Sequence, residues 1–423
     1  MTERLLQYIW QFQHFSKTDL ACTTGEALQI LHPGQHNHNQ GPDFLNAKIQ
    51  VGTTVWAGSI ELHVLASDWL YHGHSSDKNY QNTILHVVWR EDTVLPNNLY
   101  TLVLNNRVAT ELLGQYENWM LSAAFVPCGH KINAVNPLVF TAWKERLLLE
   151  RLQQKAQQVQ AYLKQTENHW ETAFWWLLAR NFGATVNSSA FEKIAQTIPI
   201  TLLAKTKGQL LQTEALLLGQ AGLLQQEFNE SYPLTLTKEF EFLHHKHQLP
   251  IAFVQLHFLR MRPANFPTVR LAQLAMLIHH SQHLFAKIKD SDSLDAVKAL
   301  LNVTAGDYWD THYLLDEPSH YMPKKTGTQM VNSLLINTVI PVVYAYGAYH
   351  GQVRYTEKAI DWMAAIAAEK NSITKGFEAL GIANSSAIDS QALIQLKNEY
   401  CNQKRCLDCA VGNHLLAAQK QML

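Results

Sequence analysis

The first third of the chain alternates hydrophobic and polar residues in a way that predicts one helix followed by several strands. Residues 3–15 carry apolar side chains at helical spacing, whereas residues 44–51 and 55–65 alternate as half-buried strands do. Residues 83–89 are nearly all apolar, which is typical of a central strand buried on both faces. Residues 99–105 predict a fourth strand.

From about Phe140 onward the pattern becomes helical. Apolar residues recur at helical spacing, with prolines between the segments, in residues 141–164, 201–228, 269–289 and 355–370. The longest apolar stretch, Met330–Tyr349, contains polar residues and falls short of an uninterrupted membrane span. We therefore predict no membrane association.

These patterns together predict an α+β protein with two parts. Residues 1–135 form a small α/β domain with a mixed sheet, and residues 136–423 form a larger all-helical region that ends in a cysteine cluster. The 423 residues are 47% hydrophobic and 16% charged, which excludes a disordered chain. The net charge of −1 excludes a global basic field, so any DNA or RNA partner must bind local patches. The first residues carry no secretory signal pattern, so we expect a cytoplasmic protein.

Polar chemistry concentrates between His32 and His86, which contains seven of the 21 histidines. Asp43 follows Gly41-Pro42 at the start of one predicted strand, and Glu61 lies in the next strand with His63 on the same face. Carboxylates on adjacent strands can hold Mg²⁺ or Mn²⁺, which activates water for hydrolysis. A two-residue turn would place Asp43 on the face opposite Glu61, so convergence needs a bulge or bend, for which Gly41-Pro42 is suited.

Pro42-Asp43 and Glu61-Leu62-His63 resemble the motif of the PD-(D/E)XK nuclease superfamily, with His63 where that family usually has Lys. The resemblance implies that Asp43 and Glu61 bind metal, that His63 positions the water and that Glu26 supplies an upstream acid. It favours a metal-dependent, nuclease-like phosphodiesterase acting on nucleic acid. The alternatives are a non-catalytic module with a degenerate nuclease fold, which binds nucleic acid or protein, and a histidine-ligated metalloenzyme.

Two His-x-His pairs flank the carboxylates, and the alternative of a histidine-ligated metalloenzyme depends on them. With nearby acids they could form a mixed nitrogen and oxygen site for Zn²⁺, Mn²⁺ or Fe²⁺. The residues concerned are His36, His38, His72 and His74 with Asp68 and Asp77. The competing interpretation is that these histidines are ordinary surface or hydrogen-bonded residues.

Cys401, Cys406 and Cys409 cluster near the C-terminus, and Cys128 is the candidate fourth thiolate, with His414 or His130 as alternatives. Four thiolates suit tetrahedral zinc or an iron–sulfur cluster. The spacing resembles part of the plant-type ferredoxin run, and some nucleases of the superfamily named above bind a cluster through one upstream and three downstream cysteines. The competing interpretation is free, buried thiols.

Longer strings resemble an uncharacterised family. NQGPDFLNAKI, GSIELHVLASDWLYHGH and YQNTILHVV, with RPANFPTVRLAQLA and YCNQKRCLDCAVGNHLL in the helical part, are similar to the bacterial domain of unknown function 2851 family over nearly the whole chain. This resemblance implies no activity, so the nuclease hypothesis rests on the residues themselves.

Overall fold

A computed structural model describes residues 1–95, 99–259, 261–281 and 283–418. The chain divides into two compact units. The first comprises Met1–Arg146, Asn371–Ala383 and the described residues from Leu393 onward; the second comprises Leu147–Lys370 and Asn384–Ala392. This division differs from the predicted domains 1–135 and 136–423 because segments near the C-terminus pack with the N-terminal unit.

The first unit is built on a mixed sheet. Its strands are β1 (Leu28–His32), β2 (Gln35–His36), β3 (Phe44–Val51), β4 (Thr54–Leu65), β5 (Thr83–Arg90) and β6 (Thr101–Val103). The order is β1-β3-β4-β5-β6, with β2 also paired to β3; the pairs up to β4 are antiparallel and those of β5 are parallel. The predicted strands 44–51, 55–65 and 83–89 are confirmed, and β6 is shorter than predicted.

The helices lie mostly in the second unit, which confirms the α+β class. In chain order they are α1 (Glu3–Gln11), α2 (Asp68–Tyr71), α3 (Thr110–Leu121), α4 (Pro137–Gln165), α5 (Trp170–Phe182), α6 (Ala184–Thr197), α7 (Ile200–Thr206), α8 (Leu210–Gln220), α9 (Ser231–His247), α10 (Pro267–His280), α11 (Leu284–Asp290), α12 (Leu294–Leu301), α13 (Gly327–Leu334), α14 (Ile340–His350), α15 (Val353–Ala364), α16 (Ser372–Glu378), α17 (Ala387–Gln395) and α18 (Ala410–Ala417). Two π-helical segments, Leu335–Val339 and Leu396–Cys401, continue α13 and α17.

Helix α1 begins where the Thr2 hydroxyl accepts the Leu5 backbone N–H at 3.3 Å. Its buried face includes Leu6 and Ile9, and its polar face carries Glu3. It ends at Gln11, short of the predicted residue 15, and Gln13 just beyond it has φ 55. A residue with that φ cannot continue a right-handed helix.

One stretch of the described chain, Gly327–His350, is long and apolar enough to cross a membrane by length and composition alone. Of its most apolar window, 78% is buried inside the protein. That burial is typical of the core helix of a soluble protein.

Candidate metal centre

A one-residue irregularity in β3 decides which face of the sheet carries Asp43. From Val51↔Thr54 to Ala47↔Gly58 the two strands keep one register, but Phe44 pairs with Ile60. The extra residue lies between Phe44 and Ala47, where Asn46 has φ 58. Asn tolerates this left-handed conformation better than most residues, and such a bulge reverses the alternation of faces. Asp43 is therefore the neighbour of Glu61 across the two strands, and both side chains lie on the same face of the sheet.

The required bulge thus exists, but at Asn46 and not at Gly41-Pro42. It brings the two acids into direct contact: the Asp43 backbone N–H donates to Glu61 Oε2 at 3.0 Å. The Leu62 backbone N–H donates to Asp43 Oδ2 at 3.1 Å, and Gln7 Nε2 on α1 donates to Asp43 Oδ1 at 2.8 Å. Asp43 is therefore fixed by β4 on one side and by α1 on the other.

The acid pair lies in an environment that disfavours its negative charge. Burial raises the pKa of Asp43, and the nearby charge of Glu3 raises it further. Burial also raises the pKa of Glu61, and the charge of Asp43 raises it further. Glu3 adds to the negative charge around both carboxyls. A bound cation would supply the missing positive charge.

Two imidazoles lie beside Glu61, and a third lies beside one of them. His63 Nε2 lies 3.6 Å from Glu61 Oε1, and His74 Nε2 lies 3.4 Å from the same oxygen. His63 Nε2 and His72 Nδ1 are 3.1 Å apart. Atoms that bind one ion at about 2.0–2.1 Å are about 3.0–3.4 Å from each other. The ligand atoms of His63, His72 and His74 all lie within 4.8 Å of one another.

Burial favours the neutral, metal-binding form of His63, His74 and His86. Burial lowers the pKa of His63 to about 2, with the charges of His86, His74 and His72 adding to the effect. Burial lowers the pKa of His86 to about 3 and also lowers that of His74. His86, on β5 beside Glu61, contacts His63 Nδ1 through Nε2 at 2.8 Å. That contact orients His63 with its other nitrogen toward Glu61.

His72 and His74 reach the centre because the chain turns back after β4. Asp68 accepts the Leu65 backbone N–H at 3.0 Å at the start of α2, and Gly73, with φ 71, reverses the chain between the two histidines. Buried Trp69 lies under this turn, and the Tyr80 ring stacks on His74 at 3.7 Å. The His74 side chain is 10% exposed, and its Nε2 has no hydrogen-bond partner.

The structure brings together five of the predicted residues, Asp43, Glu61, His63, His72 and His74. Glu26 lies elsewhere: it is exposed and directly precedes Ala27, just before the start of β1. Leu28 pairs with Val51, which is roughly 25 Å along β3 from Asp43. Glu3 on α1 is the upstream acid that acts on the pair instead. The sequence feature that points to Glu3 is its four-residue spacing from Gln7, which places both side chains on one face of α1.

The other candidate acids, and the His-x-His pair of His36 and His38, are not part of the candidate centre. Asp68 accepts the Leu65 N–H, and Asp77 accepts the Asn79 N–H at 2.9 Å. His36 and His38 instead line a pocket of about 250 Å³ with Arg4 and Gln7. Since Gln7 also donates to Asp43, this pocket adjoins the acid pair.

The four predicted cysteines are all in the first unit, and none forms a disulfide. Cys128 immediately precedes the short helical turn Gly129–Ala134, Cys401 ends a π-helical segment and Cys409 caps α18. The alternative ligand His414 instead accepts the Asn136 backbone N–H at 3.4 Å.

A family profile described as "Protein of unknown function (DUF2851)" matches residues 3–372. The chain belongs to this family. The family match covers Asp43, Glu61 and the three histidines and ends before Cys401. No curated protein and no solved structure matches this DUF2851 chain. The predicted family resemblance is confirmed, and the family description assigns no activity.

Proposed function

We propose that this DUF2851 protein is a metal-dependent, nuclease-like hydrolase of phosphodiesters whose ion is bound by Glu61, His63, His72 and His74 beside Asp43. The observation that carries the proposal is the set of distances of 3.1–3.6 Å that join the buried Glu61 carboxyl to His63 and His74, and His63 to His72. Three imidazoles with one carboxylate favour Mn²⁺, Zn²⁺ or Fe²⁺ over the Mg²⁺ that two carboxylates alone predict.

The bound ion would lower the pKa of a water molecule and offset charge that develops on the phosphate. In this proposal His63 is a ligand and does not position the water. Asp43 takes that role because Gln7 and Leu62 hold its carboxyl in one orientation next to Glu61.

Nucleic acid is the substrate class that we propose. Support comes from the pocket lined by Arg4, His36 and His38, in which Arg4 forms an ion pair with Asp408 that a phosphate could replace, and from its link to Asp43 through Gln7. The resemblance of Pro42-Asp43 and Glu61-Leu62-His63 to the PD-(D/E)XK superfamily is a second support. Five free cysteines fit a reducing compartment, so we place the reaction in the cytoplasm.

The test compares the full-length chain with matched variants in the presence of Mn²⁺ or Zn²⁺. Substrates are single- and double-stranded DNA and RNA and a small aryl phosphodiester. We expect Asp43→Asn to lower cleavage by at least about 100-fold, with metal still bound. Glu26→Gln, which changes an acid outside the centre, should match the wild type.

Metal analysis of His72→Ala and His74→Ala separates binding from catalysis, and both variants should lose bound ion. Absence of metal-dependent cleavage of every substrate, or equal cleavage by Asp43→Asn, contradicts the enzymatic proposal. Retained nucleic-acid binding without turnover would favour the non-catalytic alternative. Cleavage of the aryl phosphodiester alone would favour a metalloenzyme that acts on small substrates.

A further inference from the structure

Among the proposed ligands of the metal centre, His72 is the one that faces solvent. Glu61 and His63 are buried, and the His74 side chain is 10% exposed. His72, by contrast, is exposed. A substrate therefore approaches an ion at this site from the side of His72. The side chains that flank His72 determine which part of the substrate the protein contacts there.

Tyr71, the last residue of α2, places an aromatic ring beside this opening. Tyr71 is 87% exposed, and its ring centroid lies 5.7 Å from that of His72, with the two ring planes at 56° to each other. Single exposed hydrophobic residues are common on protein surfaces and need no functional role. This ring differs because it adjoins the solvent-facing ligand of the proposed centre. A molecule whose reacting group is bound by the ion is therefore within reach of the ring.

The backbone that carries Tyr71 is held in place by the rest of the turn. The Tyr71 backbone N–H donates to the Ser67 carbonyl at 3.1 Å, and the side chain of Trp69, two residues earlier, is buried. The Leu65 backbone N–H donates to the Asp68 carboxylate at 3.0 Å. The ring is thus attached to an ordered turn, and a ligand that stacks on it loses little affinity to ordering of the protein backbone.

Two acidic side chains lie near His72. Burial raises the pKa of Glu3, the charge of His72 lowers it and the charge of Asp68 raises it, which places Glu3 within electrostatic reach of both. Carboxylates repel a phosphate backbone, so this surface attracts nucleic acid by charge only through the bound ion. An aromatic ring attracts it in another way, because the faces of nucleobases stack on such rings whatever the base.

We propose that Tyr71 stacks on an unpaired nucleobase next to the phosphate bound at the metal centre, so that the substrate is single-stranded nucleic acid. This inference rests on the proposed function, because it names the substrate of the same centre. In a duplex the bases are stacked on one another, and a base must leave the stack before a side chain can cover its face. A single strand offers its bases without that cost, and stacking predicts little preference among them.

The test compares Tyr71→Phe and Tyr71→Ala in the full-length chain with Mn²⁺, on single strands and duplexes of the same DNA and RNA sequences. Phe keeps a stacking ring and should match the wild type. Ala should raise KM for single strands about 10-fold with kcat nearly unchanged, because it removes binding that ground state and transition state share. The rise should be the same at low and high salt, since salt screens charges and not stacking. Leu70→Ala, on the same helix and 46% exposed, is the matched control and should cleave as the wild type does.

Four results would overturn the proposal. The first is wild-type cleavage of duplexes as efficient as that of single strands, and the second is an unchanged KM for Tyr71→Ala. The third is a defect in Tyr71→Phe equal to that of Tyr71→Ala, which would assign the effect to the hydroxyl group. The fourth is loss of bound manganese from Tyr71→Ala, which would show that the ring supports His72 and does not bind substrate.

A failure of the proposed function gives a different result, namely no cleavage of any substrate by the wild type. Fluorescence anisotropy with a labelled single strand then still tests the inference, because stacking does not require turnover. Tyr71→Ala should bind that strand about 10-fold more weakly than the wild type and Leu70→Ala do. Equal affinities of the three proteins would show that Tyr71 does not contact the bases.

Discussion

At the scale of single residues, Asn46 has the largest consequence for the proposed centre. It makes no buried contact, since it is exposed, and its effect comes through φ 58 and the register shift between Phe44 and Ala47. Without that extra residue, Asp43 would lie on the opposite face from Glu61 and His63. The placement of Asp43 beside the proposed metal centre therefore depends on a backbone conformation that Asn and Gly adopt at low cost.

The variants Asn46→Gly and Asn46→Val test this dependence. Gly should preserve the fold and the cleavage of phosphodiesters, because it adopts a positive φ freely. Val should cost about 1–3 kcal/mol of unfolding free energy or shift the register, and cleavage should fall in either case with the ion still bound. Denaturant unfolding and the Mn²⁺-dependent cleavage assay measure the two effects. Equal cleavage by the two variants would show that the bulge does not position Asp43.

At the scale of elements, the short turn after β4 determines which imidazoles meet Glu61. Helix α2 has a single buried residue, Trp69, whose ring lies 5.3 Å from the His74 ring and 5.3 Å from the His86 ring. The turn has little hydrophobic core of its own. Two features therefore hold the turn over the sheet: the packing of Trp69, and the hydrogen bond from the Leu65 backbone N–H to the Asp68 carboxylate.

Trp69→Leu should weaken metal binding without removing a ligand. We expect affinity for Zn²⁺ or Mn²⁺ to fall about 10–100-fold, the usual effect of losing a residue that orients ligands. Leu70→Ala on the same helix is the matched control, because the Leu70 side chain is 46% exposed and the substitution should leave affinity unchanged. The two variants would be compared by competition with a metal indicator, and indistinguishable affinities would argue against a positioning role for Trp69.

The sequence-based predictions agreed best with the structure for individual strands and helices. Strands β3, β4 and β5 were predicted closely because alternation and continuous apolar character reflect burial directly. Strands β1 and β2 were missed, since LQILHPGQH contains Pro33 and Gly34 and little alternation. The predicted helix 269–289 spans two helices, α10 and α11, because apolar spacing alone does not reveal where a helix ends.

At the scale of the whole molecule, each unit has its own interior. That of the second unit contains a fully buried acid, Glu214, which accepts the Tyr232 hydroxyl at 2.6 Å and the Trp309 indole N–H at 3.2 Å. Burial raises the pKa of Glu214 to about 7 from a model-peptide value of 4.5. The native state therefore holds a proton on this carboxyl that the unfolded chain has already released.

This difference predicts how stability depends on pH. The contribution of neutral Glu214 is fully present below about pH 4.5 and is lost as the pH rises through about 7. Relative to Glu214→Gln, the wild-type unfolding free energy should fall by about 3 kcal/mol between pH 4.5 and 8. Denaturant unfolding at several pH values checks this, with Glu227→Gln as an exposed control in the same unit. Parallel pH profiles for the wild type and Glu214→Gln would refute the prediction.

The sequence by itself determined the α+β class, the central strands, the family and most of the candidate ligands, because burial periodicity and residue chemistry are local properties. The tertiary structure decided which ligands meet. The bulge at Asn46 set the face of Asp43, the turn at Gly73 brought His72 and His74 to Glu61, and Glu3 took the place expected for Glu26. It also assigned the C-terminal cysteines to the N-terminal unit. Contacts between residues far apart in sequence depend on register and packing, which no local pattern encodes.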